Sequence, residues 1–105
     1  WGRTAVLVLT EFGRTVAMNG SAGTDHGTGG AGFLLGGAVR GGRIHAAWPG
    51  LGRGDLLAGR DLRPTLDTRA LVAGVLHEHL GLDGAELAAV FPGAPEPVTG
   101  LLRHG

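Results

Sequence analysis

Apolar residues are distributed along this chain in contrasting patterns. From Thr4 to Thr10 they run continuously, Ala-Val-Leu-Val-Leu, with β-branched members and no polar alternation. That pattern predicts a strand covered on both faces, as in a parallel sheet under helices. Residues 11–30 are rich in Gly, Ser, Thr and Asn and read as loop. Ala31–Leu35 is a second short apolar run, stopped by Gly36-Gly37. Gly41-Gly42 reads as a turn before Arg43–Ala46, an expected short strand closed by Trp48-Pro49-Gly50. Residues 50–60 are turn-rich and expected to be exposed.

Helical periodicity appears only in the second half. Leu71, Val72, Val75, Leu76 and Leu80 form one stripe at helical spacing and predict a helix over about residues 67–80. Thr65 or Asp67 can cap its start, and Gly81 can supply a left-handed stop. Asp83-Gly84-Ala85-Glu86 resembles a capping box and predicts a short helix over about 84–89, ended by Pro92. Pro95 and Pro97 make the following segment extended. Strand, loop, strand, then helices favours an α/β arrangement.

Composition narrows the function classes. The 105 residues are 43% hydrophobic and 17% charged, which is globular rather than disordered. Nine basic residues balance nine acidic ones, so neither a nucleic-acid footprint nor a membrane-surface patch is expected. The chain has no cysteine, which excludes disulfides and thiolate metal sites. No apolar run approaches the roughly 20 residues of a membrane span. The first residue is Trp1 rather than Met, and the first apolar run follows within a few positions; the chain is therefore expected to be part of a larger protein.

Candidate chemistry gathers in the glycine-rich loop. Glu11 leaves the end of the first apolar run, Arg14 follows, and Asp25-His26 lies further on. Carboxylate oxygen and imidazole nitrogen suit divalent cations, and a loop at the carboxyl end of a strand is a usual place for them. The alternative is that Asp25 braces the loop through backbone amides while His26 is a surface residue. Arg14 can offer a two-pronged donor to an anion, or can pair with Glu11 or another acid. The loop lacks the Gly-Lys-Ser/Thr ending of a nucleotide-binding cradle. Ser21, Thr24 and Thr28 have no local base or elbow motif to make them nucleophiles. His45 reads as structural or solvent-facing. His77 and His79, two apart on a helix, face different directions. His104 lies near the chain end. Asp67 and Arg69 read as a cap and a local ion pair, and Trp48 and Phe91 as core or edge anchors.

Several blocks together resemble a bacterial family catalogued as domain of unknown function 1501. They are Thr10-Glu11-Phe12-Gly13-Arg14-Thr15, Gly23-Thr24-Asp25-His26-Gly27, Phe33 to Gly42, Trp48-Pro49-Gly50-Leu51, Asp61 to Arg69, Leu80-Gly81-Leu82 and Phe91-Pro92-Gly93. That family is grouped with the alkaline phosphatase and sulfatase superfamily. The resemblance implies an α/β sandwich with a mostly parallel central sheet, of which residues 1–105 are the C-terminal portion. It implies divalent metal ions and a Ser, Thr or modified Cys nucleophile lying upstream, so no catalytic nucleophile is expected in this chain. Matching Glu11 to the strand-end carboxylate and His26 to a later metal histidine makes Glu11, Asp25 and His26 the implied metal residues. Asp25 is then either a ligand or the partner that orients His26. Zinc or manganese is implied ahead of calcium because of the imidazole, and Arg14 becomes an anion clamp. Superfamily members commonly carry Asp-His-Gly after the strand; here Glu11-Phe12-Gly13 stands there, and Phe12 replaces a ligand. The metal site is thereby changed or lost.

Two functions follow from the resemblance. The first is part of a metal-dependent phosphatase- or sulfatase-like ester hydrolase, inert alone, acting on a small anionic ester once joined to the remainder of its parent domain. The second is a non-catalytic secreted binding or structural protein that kept the fold. A periplasmic or secreted location is implied by the resemblance only.

Overall fold

The computed structural model describes residues 1–103. The sequence expectation for His104 lies outside the described residues. Among the described residues, four short strands and two helices occur in the order β1 (Val6–Val8), β2 (Gly13–Arg14), β3 (His26–Gly27), β4 (Phe33–Leu35), α1 (Thr68–Leu80) and α2 (Gly84–Val90), with a 3-10 turn at Arg53–Asp55 before α1. The strands make two separate two-stranded antiparallel sheets, β1 with β4 and β2 with β3.

This corrects the expected α/β sandwich with a mostly parallel sheet. Parallel neighbours require a crossover of a dozen or more residues, usually a helix. Here both helices follow β4, so nothing helical stands between β1 and β4 to carry the chain back. The strand expected over Thr4–Thr10 shortens to Val6–Val8 and is not central: it has one ladder partner, and Val6 and Val8 are 40% and 46% exposed. An unbroken apolar run shows that cover is wanted, not which partner provides it. Residues 43–46 form no strand either, and Ile44 is 93% exposed.

The chain divides into two compact units. One comprises residues 1–7, 34–44 and those from Leu66 onward. It holds every buried apolar side chain among the described residues: Ala38, Val39, Ala70, Ala73, Leu87, Leu101 and Leu102. Val39 bridges Leu102, with Arg40 N donating to Leu101 O at 2.9 Å and Arg103 N to Ala38 O at 2.7 Å. Ala5, Leu34, Leu71, Val75 and Val98 pack around that centre.

Helix α1 begins and ends as its sequence predicts. The Asp67 carboxylate accepts from Arg69 N, and Gly81 closes the helix at φ 73, a left-handed conformation that a Cβ disfavours. The expected stripe packs in part, Leu71 and Val75 lying against the core, but the most deeply buried side of the helix is a different one. Ala70, Ala73 and Gly74 are buried, Leu71, Val72, Val75 and Leu76 are half-buried, and Leu80 is exposed. Small residues win because backbone approaches them: Val98 N donates to Ala70 O, and a Cβ on Gly74 would lie 2.2 Å from Val98 O. The Glu78 carboxylate accepts from the amides of Gly100 and Leu101, fixing the returning segment. Helix α2 carries the predicted capping box, Asp83 and Glu86 each accepting from the other's amide.

The other unit comprises residues 8–33 and 45–65. Its buried residues are Gly13, Thr15, Gly29 and Asp61, so backbone pairing rather than an apolar core organises it.

Candidate functional site

The site lies wholly in this second unit and is built on β2 and β3. Gly13 pairs with Gly27 and Arg14 with His26. Glycine is required on the inner side: a Cβ on Gly13 would meet Gly29 O at 1.6 Å. Side chains alternate between the faces of a strand, and directly opposed residues share a face. Phe12, Arg14 and His26 therefore project together. The Phe12 ring stacks on the imidazole with centroids 3.8 Å apart and planes 25° apart.

Loop residues 15–25 are held by two hubs. Thr15 Oγ1 accepts from Asp25 N at 3.2 Å and donates to Ala17 O at 3.3 Å, while Thr15 N donates to Asp25 O. Asn19 Oδ1 accepts from the amides of Ser21 and Gly23, and Asn19 Nδ2 donates to Asp25 Oδ1 at 3.1 Å. The expected brace by Asp25 through backbone amides is thus made by Asn19. The Asn-Gly pair at Asn19-Gly20 was the available signal, since Asn commonly closes turns through its side chain.

Arg14 Nη1 donates to Thr24 O at 2.9 Å. Among the described residues it has no acidic partner, Glu11 included, and the two ion pairs present are Arg60–Asp61 and Arg69–Asp67. Nε and Nη2 of Arg14 have no hydrogen-bond partner among the described residues. From the far side, Arg60 Nη2 donates to His26 O at 3.2 Å and Nη1 lies 3.4 Å from Asp61 Oδ1. The contact is an ion pair without a hydrogen bond, and Asp61 Oδ1 is buried without a hydrogen-bonded donor. Asp61 is a buried carboxylate that sequence reasoning did not single out; its Arg-Asp-Leu-Arg context looks like any exposed charged turn.

Glu11, Phe12 and Arg14 lie on one wall of an open groove of about 730 Å³, whose other lining includes Trp48, Leu51 and Leu62. Trp48, expected as a core or edge anchor, is 66% exposed. The implied metal residues are only partly gathered. All three are exposed; His26 sits against Phe12, next in sequence to Glu11, and Asp25 is engaged with Asn19. Among the described residues no group of three His, Asp or Glu side chains is assembled to hold a metal. His77 Nδ1 lies 2.7 Å from Leu82 O at the end of α1, and His45 is exposed. No described helix is long and apolar enough to cross a membrane.

No curated protein and no solved structure matches this chain. A family model described as "Protein of unknown function (DUF1501)" matches residues 1–91. With that model covering most of its length and every block of the site, the chain belongs to the DUF1501 family.

Proposed function

We propose that this chain is the anion-holding portion of a phosphatase- or sulfatase-type ester hydrolase, with Arg14 as the clamp and His26 beside it. One observation carries the reading: the β2–β3 register sets Arg14 across from His26, with Phe12 stacked on the imidazole. Thr24 O orients the guanidinium through Nη1, and the donors left over suit the non-bridging oxygens of a phosphate or sulfate ester. Charge developing on those oxygens is stabilised by donors already in place.

Glu11, Asp25 and His26 have the donor chemistry for zinc or manganese, but they do not form a ligand set by themselves. No chemical step is therefore assigned to a metal. The proposal places the chain in a larger, exported protein that supplies the nucleophile. The test is hydrolysis of phosphate and sulfate monoesters by that longer protein, together with its metal content. Loss of zinc or manganese in Glu11→Ala and His26→Ala is expected; unchanged stoichiometry in both removes the metal part.

A second reading is a non-catalytic binding protein. Glu11-Phe12 favours it, because Phe12 stands where the hydrolase resemblance implies a histidine ligand. Phosphate or sulfate binding that depends on Arg14, with no ester hydrolysis by the longer protein, selects this reading.

A further inference from the structure

We infer that the groove takes an amphiphilic anion: one anionic head at Arg14 and an apolar body lying along Phe12, Trp48, Leu51 and Leu62. The inference rests on Arg14 being the anion-holding group and goes on to name the rest of the ligand. The groove lining contains one acid, Glu11, and one base, Arg14; its other walls are apolar side chains, backbone and two threonines. A polyol or sugar body would need several polar partners there and would leave apolar walls wet. Phe12, Trp48 and Leu51 are 37%, 66% and 54% exposed, so they offer apolar area that an alkyl body removes from water. All of these residues belong to one compact unit. Glu11 repels a negative head, which leaves the Arg14 side of the wall for it. The volume of about 730 Å³ accommodates a body larger than a bare phosphate.

The experiment uses residues 1–105 carrying Trp1→Phe, so that Trp48 is the sole tryptophan. Its emission is titrated, in chelator, with glycerol phosphate and with ethyl, butyl and hexyl phosphate. Affinity is expected to rise by roughly two- to fourfold per methylene, the effect of burying part or all of each CH₂. Glycerol phosphate is expected to bind like the ethyl ester or more weakly. Arg14→Gln weakens every ester about equally. Leu51→Ala, an exposed position that leaves the fold intact by circular dichroism, flattens the dependence on chain length. Equal affinities for glycerol and hexyl phosphate overturn the inference; if both still depend on Arg14, the anion site of the proposed function survives. A chain-length dependence indifferent to Arg14→Gln removes the head group, and with it both this inference and the anion clamp.

Discussion

Gly13 and Asp67 show how much a single position decides here. At Gly13 the approach of Gly29 leaves no space for a Cβ. Gly13→Ala is expected to break the β2–β3 pairing and to cost more than about 2 kcal/mol of the second unit's stability, beyond the usual range for a surface change. Loss of the Phe12–His26 ring contact, read from the imidazole proton shifts, checks it. At Asp67 the carboxyl group lies below its ordinary value of 3.8, first because the Arg69 side chain donates to it and then because Arg69 N does. A carboxyl group whose pKa is lowered on folding stabilises above its unfolded value, and that contribution is lost as pH falls through the folded value. Helix α1 should therefore lose support only below about pH 3.8. Asp67→Asn keeps a good cap but abolishes the ion pair; acid titration followed by circular dichroism should then lose that component. Both positions were legible in sequence to different degrees. Asp67 stood at a cap position before a periodic run, whereas the crowding at Gly13 depends on Gly29, sixteen residues away.

The helices were readable because their determinants are local. A cap, a period of 3.6 and a glycine stop all lie within one segment, and α1 and α2 form close to where those signals place them. That Leu71 and Val75 pack on the core was readable; which side α1 buries most deeply was not, since Ala70, Ala73 and Gly74 are chosen by the segment around Val98. Truncation tests whether the packed stripe reaches Leu80. Leu102→Ala, at 1% exposure beside α1's partners, should cost about 2–5 kcal/mol. Leu80→Ala, at 64% exposure, should stay within about 0.5 kcal/mol. Urea unfolding of both variants checks the ranking, and a Leu80 cost equal to that of Leu102 would extend the packed stripe to Leu80. The strands fared worse for the same reason. β1 and β4 are recognisable as apolar runs, yet their pairing joins residues about thirty apart.

At the scale of the whole molecule, the buried apolar side chains among the described residues belong to one unit, and the other is organised by backbone pairing around Thr15 and Asp61. Amide exchange should reflect that contrast: slowest in α1 and at Leu101, whose amide is held by Glu78, and fast through residues 43–51, which have few backbone partners. Exposed Val6, Val8, Met18, Phe33, Ile44 and Trp48 leave considerable apolar surface in water. The chain by itself should therefore bind a hydrophobic dye and self-associate with rising concentration; a monomeric, dye-free solution at high concentration would show that surface to be tolerated.

Composition, helix caps, the two apolar runs and the family blocks are carried by neighbouring residues, and so were determined by the sequence itself. Family membership belongs with them, because the match follows residue order over positions 1–91. Sheet direction, the buried face of α1, the hub roles of Thr15 and Asn19, and the company kept by Arg14 and His26 were decided only in three dimensions. Each depends on backbone groups brought together from distant parts of the chain. An amide or carbonyl looks the same at every position, so the sequence carries no mark of which distant group will meet it.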